Sequence, residues 1–246
     1  MINGYLVFAI LSIIGVFLSY IGYFYVLLGY SLSPDTGVWA QLGDYAGGLL
    51  NPILSFLSLI LLIKSLNLQN QANKDLRAEL KINDKTEKLR SFETHFFNMI
   101  NSQKVAFETF TIEAQIGGKL RKLYGVEAVI FIENQIEHLR KTSPNDDDPI
   151  VKYLDYIDLT DKIFSTARIF YVISKMVDEK LSDEEGFCEK ERLSHLVTLI
   201  NFTDFALLRL IMITVQFLNY PSTSYLRNNS DFNKVLNDVG LSYDMY

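Results

Sequence analysis

The sequence predicts an all-α protein: an N-terminal two-helix transmembrane hairpin, a long stalk helix and a cytoplasmic helical bundle. The first observation is the distribution of charge, because residues 1–63 contain no Lys or Arg and only two acidic residues, Asp35 and Asp44. All 23 Lys+Arg of the chain lie in residues 64–246. The second is that residues 1–63 hold two long apolar runs. The third is that the charged part shows helix-like segments, in which we recognise neither an alternating strand pattern nor a Gly-rich phosphate-binding loop.

Composition argues against several classes of function. A net charge of −6 is unfavourable for a general nucleic-acid binder, so we expect no stable nucleic-acid binding. The single cysteine, Cys188, rules out an intramolecular disulfide framework. The three histidines stand alone at positions 95, 138 and 195, which does not match zinc-ligand spacing. We therefore expect no metal and no cofactor.

The first predicted membrane helix covers about residues 5–30. This run is uncharged and mostly apolar, and as a helix it is long enough to cross a hydrocarbon core of about 30 Å with some tilt. A signal peptide would need a positively charged start and a small-residue cleavage site, and the sequence has neither. We therefore predict a retained transmembrane helix.

One stripe of this helix carries small residues at helical spacing. Small side chains let membrane helices approach closely, and close packing must replace the missing hydrophobic driving force. We predict a packing seam against the second helix or a neighbouring subunit; the alternative is that Gly and Ser are simply frequent in such helices. The seam consists of Ser12, Gly15, Ser19, Gly22 and Gly29.

The second predicted membrane helix covers about residues 45–63. The purely apolar run Ile53–Ile63 would be only about 16 Å long as a helix, too short to cross. A crossing helix must therefore include the polar stretch before it. Pro52 lacks an N–H, and its ring crowds the carbonyl of Gly48. We predict a kinked or broken helix, with its irregular turn buried in protein or facing water.

A small, polar face runs along this second helix. Gly43, Gly47, Asn51 and Ser55 recur every four residues, which suits a close helix contact or a water-lined path. Asp44, near the predicted outer mouth, would favour cations. Together with Gly48 and Pro52, these residues are the candidate kink or pore-facing positions.

Basic residues predict the orientation. The stretch Lys64–Arg90 carries seven Lys and Arg residues against four acidic ones, so this flank is expected in the cytoplasm. Two crossings then place the N-terminus and the C-terminus in the cytoplasm. Residues 31–44 would form a short external loop.

The rest of the chain is divided into a polar stalk helix, 64–91, and a cytoplasmic α-helical domain, 92–246. Neither Gly nor Pro interrupts residues 53–116, which predicts one long helix entering a core near Phe92. Further helices are expected at 119–141, 150–181 and 189–219. The apolar stretch 196–218 could be a third crossing, but Asp204 and Arg209 would each cost about 2.5–3.5 kcal/mol near the bilayer centre. We predict a buried central helix instead.

The strongest enzymatic candidate is the pair Arg90 and His95. The same spacing occurs in helical ribonucleases of the HEPN group, so a membrane-tethered ribonuclease remains an alternative. The apolar surroundings of His95 favour a core or interface histidine, and we predict a protein that is not an enzyme.

Several segments resemble a known family. These are the apolar block Trp39–Phe56, the polar Leu68–Gln71 and the core segment Phe96–Ile100, with weaker matches at Ala167–Ile173 and Glu191–Leu196. They resemble the AbiC-like family of phage abortive infection proteins, which are bacterial two-helix membrane proteins with a cytoplasmic helical domain. The Gly-Asp signature of that family matches at Asp44, and its Asn-Pro at Asn51 and Pro52. No catalytic residues follow from the resemblance.

The resemblance implies a bacterial inner-membrane protein that defends against phage by harming the infected cell. We expect a membrane-embedded effector whose cytoplasmic domain senses infection, directly or through a phage-derived or host partner. Two helices cannot enclose a pore, so disruption or depolarisation of the membrane requires a homo-oligomer. An anchored sensor or scaffold that recruits a separate toxic effector is a further alternative.

Overall fold

A computed structural model describes residues 2–29 and 31–246. The chain is 78% helical with 5% strand, and nine α-helices lie within the described residues. The all-α fold class is thereby confirmed. The chain divides into two compact units, Met1–Ile82 and Asn83–Tyr246.

The first unit contains an apolar helix and part of a second, much longer one. Helix α1 covers Ile2–Ile21 and is followed by a π-helical turn, Gly22–Leu27, while α2 covers Thr36–Glu108. The boundary between the two units falls inside α2. Tyr30, where the first helix was expected to end, lies outside the described residues.

Helix α2 begins nine residues earlier than the sequence predicted. The Asp35 carboxylate accepts a hydrogen bond from the Gly37 N–H at 2.9 Å, and this satisfies one of the free donors at the helix start. The Trp39 indole N–H donates to the Ser33 carbonyl at 3.0 Å and holds the preceding turn. The predicted external loop, 31–44, is therefore too long.

The sequence predicted a kinked or broken helix at Asn51-Pro52. The break is wrong, because α2 continues through Pro52; the kink stays a prediction. A proline removes one intrahelical hydrogen bond and crowds one carbonyl. Here the helix already starts at Thr36, so residues on both sides of Pro52 hold it in helical geometry.

The prediction of no strands is also wrong. Strands β1, Thr111–Ile116, and β2, Lys119–Tyr124, pair antiparallel, with Ile112 opposite Leu123 and Ile116 opposite Lys119. Gly117 and Gly118 join them with φ of 59° and 78°. A type I′ turn needs positive φ at both central residues, and glycine adopts it without steric cost. The long helix therefore ends at Glu108 rather than near 116.

The remaining helices of the second unit are shorter than predicted. The expected helix 150–181 is two helices, separated at Asp161, which has a left-handed φ of 54°. The carboxylate of Asp158 accepts the backbone N–H groups of Ile163 at 2.7 Å and Phe164 at 2.9 Å, so it caps the second of them. The observed helices are α3 Gly125–Thr142, α4 Asp148–Ile157, α5 Lys162–Lys180, α6 Glu189–Phe202, α7 Phe205–Phe217, α8 Pro221–Asn228 and α9 Ser230–Asp238.

Helix α7 is the buried centre of the second unit, as predicted for the apolar stretch near the C-terminus. The expected helix 189–219 bends by 112° between α6 and α7, where Asp204 caps α7 by accepting the Ala206 N–H at 2.8 Å. Arg209 is satisfied by Glu133 of α3, with Nε to Oε1 at 2.6 Å. The side chains buried along α7 include Leu207, Leu208, Leu210, Ile211, Met212, Ile213, Thr214 and Val215.

Candidate functional site on the apolar helical pair

Two helices of the described chain are long and apolar enough to cross a membrane. They are Gly4–Leu27 and Thr36–Glu108, and the most apolar windows are 0% and 11% buried within the structure. Leaving this much contiguous apolar surface in water is unfavourable, so a lipid or protein environment must cover it.

The two helices contact each other along one face each. The more protected positions on α1 recur at intervals of three or four residues, and so do those on α2. This spacing keeps each contact face on one side of its helix. The α1 positions are Tyr5, Ala9, Ser12, Val16 and Tyr20, and the α2 positions are Leu42, Ala46, Leu50, Ile53, Leu57, Ile60 and Lys64.

Specific contacts define the antiparallel arrangement of the pair. Near one end, the hydroxyl oxygens of Ser19 and Tyr45 lie 3.1 Å apart, and the Tyr20 and Tyr45 rings have centroids 5.4 Å apart. Near the other end, Lys64 Nζ lies 5.1 Å from the centroid of the Tyr5 ring. A lysine ammonium over an aromatic face is attracted by the ring quadrupole.

The residues of the predicted seam do not all lie on the face of α1 that contacts α2. A Cβ added to Gly15 or Gly22 would meet no atom within 4 Å, so neither glycine packs against α2. Ser12 lies on the contact face and donates to the Phe8 carbonyl at 2.9 Å, while Ser19 bonds with Tyr45. Gly29 follows the helical segment with φ of 68°, so it does not continue the stripe. Gly15 and Gly22 are thus open to another partner.

The polar face of α2 is also open. Gly43 and Gly48 have no atom within 4 Å of an added Cβ, and Gly47 would meet only the Asn51 amide nitrogen, at 3.8 Å. Asn51 and Ser55 are exposed, and their side chains have no hydrogen-bond partner within residues 2–29 and 31–246. Asp44, one residue before the Tyr45 contact, is likewise exposed.

Pro52 leaves one backbone group of α2 without its usual donor. Because proline has no N–H, it cannot donate to the carbonyl of Gly48, four residues earlier. Beside Pro52 lies an open apolar groove of about 510 Å³ between α1 and α2. Its lining residues are Tyr5, Phe8, Pro52, Ile53, Phe56, Leu57 and Ile60.

Arg90 and His95, the alternative catalytic pair, are both exposed on α2. Five residues of α-helix correspond to a rotation of about 140°, so their side chains leave the helix in different directions. His95 lines a groove of about 530 Å³ with Ser91, Lys180 and Glu185, and Arg90 is not part of that lining.

The histidine that packs against the core is His195 on α6. Its ring makes edge contacts with Phe92 and Phe96, at centroid distances of 5.2 and 5.6 Å, and its Nδ1 lies 2.8 Å from the Glu191 carbonyl. Of the core or interface role expected for His95, the core role is wrong, because the side chain is exposed; the interface role stays a prediction. Local sequence could not distinguish the two, because only the packing of α6 against α2 decides which ring is enclosed.

A metal site does not emerge from the described part of the chain. Across residues 2–29 and 31–246, no three or more His, Cys, Asp or Glu side chains come together in a way that could hold an ion. The most distinctive chemical feature is instead the row of unsatisfied polar groups on the apolar helix α2.

These features define the class of this molecule as an all-α protein with a long, largely uncovered apolar helical pair and a separate helical unit. Comparison with protein-family models, curated proteins and solved structures finds no match to the chain.

Proposed function

We propose that this protein is a membrane-embedded effector of bacterial defence against phage. In this proposal α1 and residues 36–63 of α2 form a hairpin in the inner membrane, and hairpins from several copies associate to disrupt or depolarise it. The observation that supports this best is the open face of α2, where Asn51 and Ser55 have no partner within the hairpin.

An amide in hydrocarbon is costly unless another polar group satisfies it. Asn51 lies roughly in the middle of α2's apolar portion, and the α1 contact face lies elsewhere on the helix. A second copy could offer its own Asn51 and Ser55 across a glycine-lined contact. Interhelical hydrogen bonds of this kind contribute about 0.6–2 kcal/mol each in membranes.

Association of several hairpins would also provide a route for ions. Two helices cannot enclose a water-filled path, whereas a ring of hairpins can. Lined by Asn51, Ser55 and the Gly48 carbonyl, such a path would be polar, and a ring of Asp44 carboxylates at one mouth would favour cations.

The basic flank supports the proposed orientation. Seven Lys and Arg residues in Lys64–Arg90 favour a cytoplasmic location for this segment, which places both termini in the cytoplasm. The unit Asn83–Tyr246 would then receive the signal of infection, directly or from a phage-derived or host partner. Helix α2 contributes residues to both units, so it connects the unit that would receive the signal covalently to the hairpin.

The test is induced expression in bacteria that carry a membrane-potential dye. Wild type is expected to depolarise the inner membrane and stop growth. Ser55→Ala combined with Asn51→Leu should restore the potential, because the polar contact between copies is removed while the helix stays apolar. Ser58→Ala is the matched control, since the Ser58 hydroxyl already donates to the Leu54 carbonyl of its own helix at 2.8 Å.

The seam on α1 provides a second pair of variants. Gly15→Leu or Gly22→Leu should lower both cross-linking between copies and depolarisation, whereas Phe17→Leu should change neither. Growth arrest with an intact membrane potential would contradict the proposal, and harmless expression under every condition, including phage infection, would favour the anchored scaffold.

A further inference from the structure

The apolar groove beside Pro52 has the size of a ligand site. It holds about 510 Å³, within the range of about 300–1,000 Å³ that is typical of small-molecule pockets. Its walls come from α1 and α2, and the lining residues all belong to the unit Met1–Ile82. Its rims are the rings of Phe8 and Phe56, which are 56% and 65% exposed. Two large aromatic rings left this open require an apolar occupant.

One end of the groove carries a positive charge. Tyr5 lines the groove, and the Lys64 Nζ lies 5.1 Å from the centroid of the Tyr5 ring. Lys64 stands four residues, or about 6 Å of helix, beyond Ile60, the last groove residue of α2. It is also the first Lys or Arg of the chain. The apolar lining therefore ends at an ammonium group.

This arrangement matches the two parts of a phospholipid. In the proposed hairpin, Tyr5 and Lys64 lie at the cytoplasmic boundary, and the groove runs from there into the hydrocarbon layer. From Ile60 to Pro52 it covers eight residues of α2, or about 12 Å. A long lysine side chain places its ammonium at headgroup level, and an amphipathic tyrosine ring suits the same depth. An acyl chain would lie along the groove, with the lipid phosphate beside the ammonium.

A second copy of the hairpin fits this groove less well than a lipid does. Membrane helices pack closely where small residues line the contact. Among the described residues that line the groove, none is Gly, Ala or Ser. The polar face of α2 also points elsewhere, because Asn51 is two residues, a rotation of about 200°, from the groove residue Ile53. A flexible acyl chain can follow a wall of rings and branched side chains that a helix cannot approach closely.

From these observations we infer that the groove binds an acyl chain of an anionic phospholipid, whose phosphate contacts Lys64. The charge selects the headgroup, because one basic residue at an anionic lipid contributes about a fivefold gain in partitioning. Phosphatidylcholine carries the same phosphate beside a positive choline, so its net charge is zero and the gain is lost. The site needs a hairpin that spans the bilayer, so it rests on the proposed function.

The test uses the full-length chain in vesicles and measures quenching of a tryptophan by brominated acyl chains. Trp39→Phe removes the single native tryptophan, and Phe8→Trp places a reporter in the groove. The vesicles are phosphatidylcholine with an increasing fraction of brominated phosphatidylglycerol or of brominated phosphatidylcholine. Brominated phosphatidylglycerol should quench the groove reporter at about one fifth of the fraction that brominated phosphatidylcholine requires.

Matched variants separate the charge, the groove and the surrounding bilayer. Lys64→Gln should abolish the fivefold preference, whereas Lys74→Gln removes an exposed charge ten positions further along α2 and should leave it unchanged. Phe56→Trp, on the α2 wall of the groove, should report the same preference as Phe8→Trp. Ile10→Trp lies two residues from Phe8, on the opposite side of α1, and should be quenched equally by the two lipids.

Three results would overturn the lipid site. The first is equal quenching of both groove reporters by the two lipids, and the second is the same preference at Ile10→Trp, which would indicate general accumulation of anionic lipid around the hairpin. The third is quenching at Ile10→Trp alone, because a second copy then covers the groove. Vesicle flotation is measured in parallel. Protein that floats without a groove preference contradicts only the lipid site, whereas protein that does not float contradicts the membrane hairpin as well.

Discussion

The hydroxyl oxygens of Ser19 on α1 and Tyr45 on α2 lie 3.1 Å apart, and they join two helices that otherwise contact each other mainly through apolar side chains. The Tyr45 ring also packs against Tyr20, so one residue combines an apolar and a polar contact. This pair lies toward the end of the hairpin where α1 and α2 are connected by residues 28–35.

Removing this hydrogen bond should loosen the hairpin. Tyr45→Phe keeps the ring contact with Tyr20 and loses only the hydroxyl, so we expect a destabilisation of about 0.6 kcal/mol, typical of interhelical bonds in lipid. A double-mutant cycle with Ser19→Ala, measured by steric trapping in bilayers, should give a coupling energy of that size. Tyr25→Phe is the control, and full additivity of Ser19→Ala and Tyr45→Phe would show that the hydroxyls do not interact.

Substitutions at Arg90 and His95 test the alternative ribonuclease site. Arg90 and His95 are exposed and leave α2 in different directions, so we expect His95→Ala and Arg90→Ala to leave growth arrest unchanged. Total RNA from arrested cells should show no new fragments on sequencing of 5′ ends. Loss of arrest in both variants, with unchanged membrane insertion and oligomeric state, would instead support RNA cleavage.

The ion pair between Arg209 and Glu133 stabilises the second unit. Both side chains are mostly buried, and Glu133 also accepts a hydrogen bond from the Tyr246 hydroxyl. Glu133→Gln leaves the guanidinium without its counter-charge, so the free energy of unfolding should fall by about 2 kcal/mol. Denaturant unfolding of the full chain in detergent measures this loss.

The same substitution at an exposed pair is the control. Glu189 and Lys234 are only 2.7 Å apart, yet both side chains are more than half exposed. Glu189→Gln should therefore lower the free energy of unfolding much less than Glu133→Gln does. Equal losses from the two substitutions would show that burial does not determine the strength of these pairs.

Asp178 should make stability depend on pH in the direction opposite to most ion-paired acids. Burial raises the pKa of its carboxyl group above the ordinary value of 3.8, although Tyr225 and Asn229 donate hydrogen bonds that lower it in part. The folded state therefore binds a proton more readily than the unfolded state. The contribution of Asp178 to stability is present in full below pH 3.8 and is lost as pH rises through the folded-state pKa.

The comparison that isolates this effect is between wild type and Asp178→Asn. As pH falls from 7 toward 4, the free energy of unfolding of the wild type should increase relative to that of the variant. Lys234 lowers the pKa of Glu189, so the contribution of Glu189 to stability depends on pH in the opposite direction. Glu189→Gln is therefore the control. A wild-type advantage that shrinks on acidification would contradict the assigned direction.

Two features could have been found from sequence with a closer look at local pattern. Thr111–Ile116 alternates Ile112 and Ala114 with Glu113 and Gln115, and Gly117-Gly118 follows as a two-residue hairpin signal. The sequence instead predicted helix up to Ile116, because neither Gly nor Pro occurs in residues 53–116, and a further helix over 119–141. Likewise, Asp35-Thr36 before Gly37 is an acceptable helix start, and it moves the beginning of α2 upstream of the polar stretch.

The sequence by itself determined that the chain begins with an apolar helical part nearly free of charge and continues with a charged, mostly helical part, because hydrophobicity and charge are local properties of each segment. It also determined that the stretch ending near Leu218 holds a buried helix, since Asp204 and Arg209 are too costly in lipid. Only the tertiary structure decided that His195 rather than His95 meets Phe92 and Phe96, and that Gly15, Gly22 and Asn51 lie off the contact face of their own hairpin. These outcomes depend on how each helix is rotated about its own axis relative to its neighbours. That rotation is set by packing against side chains that are distant in sequence, and the local pattern of apolar residues does not reveal it.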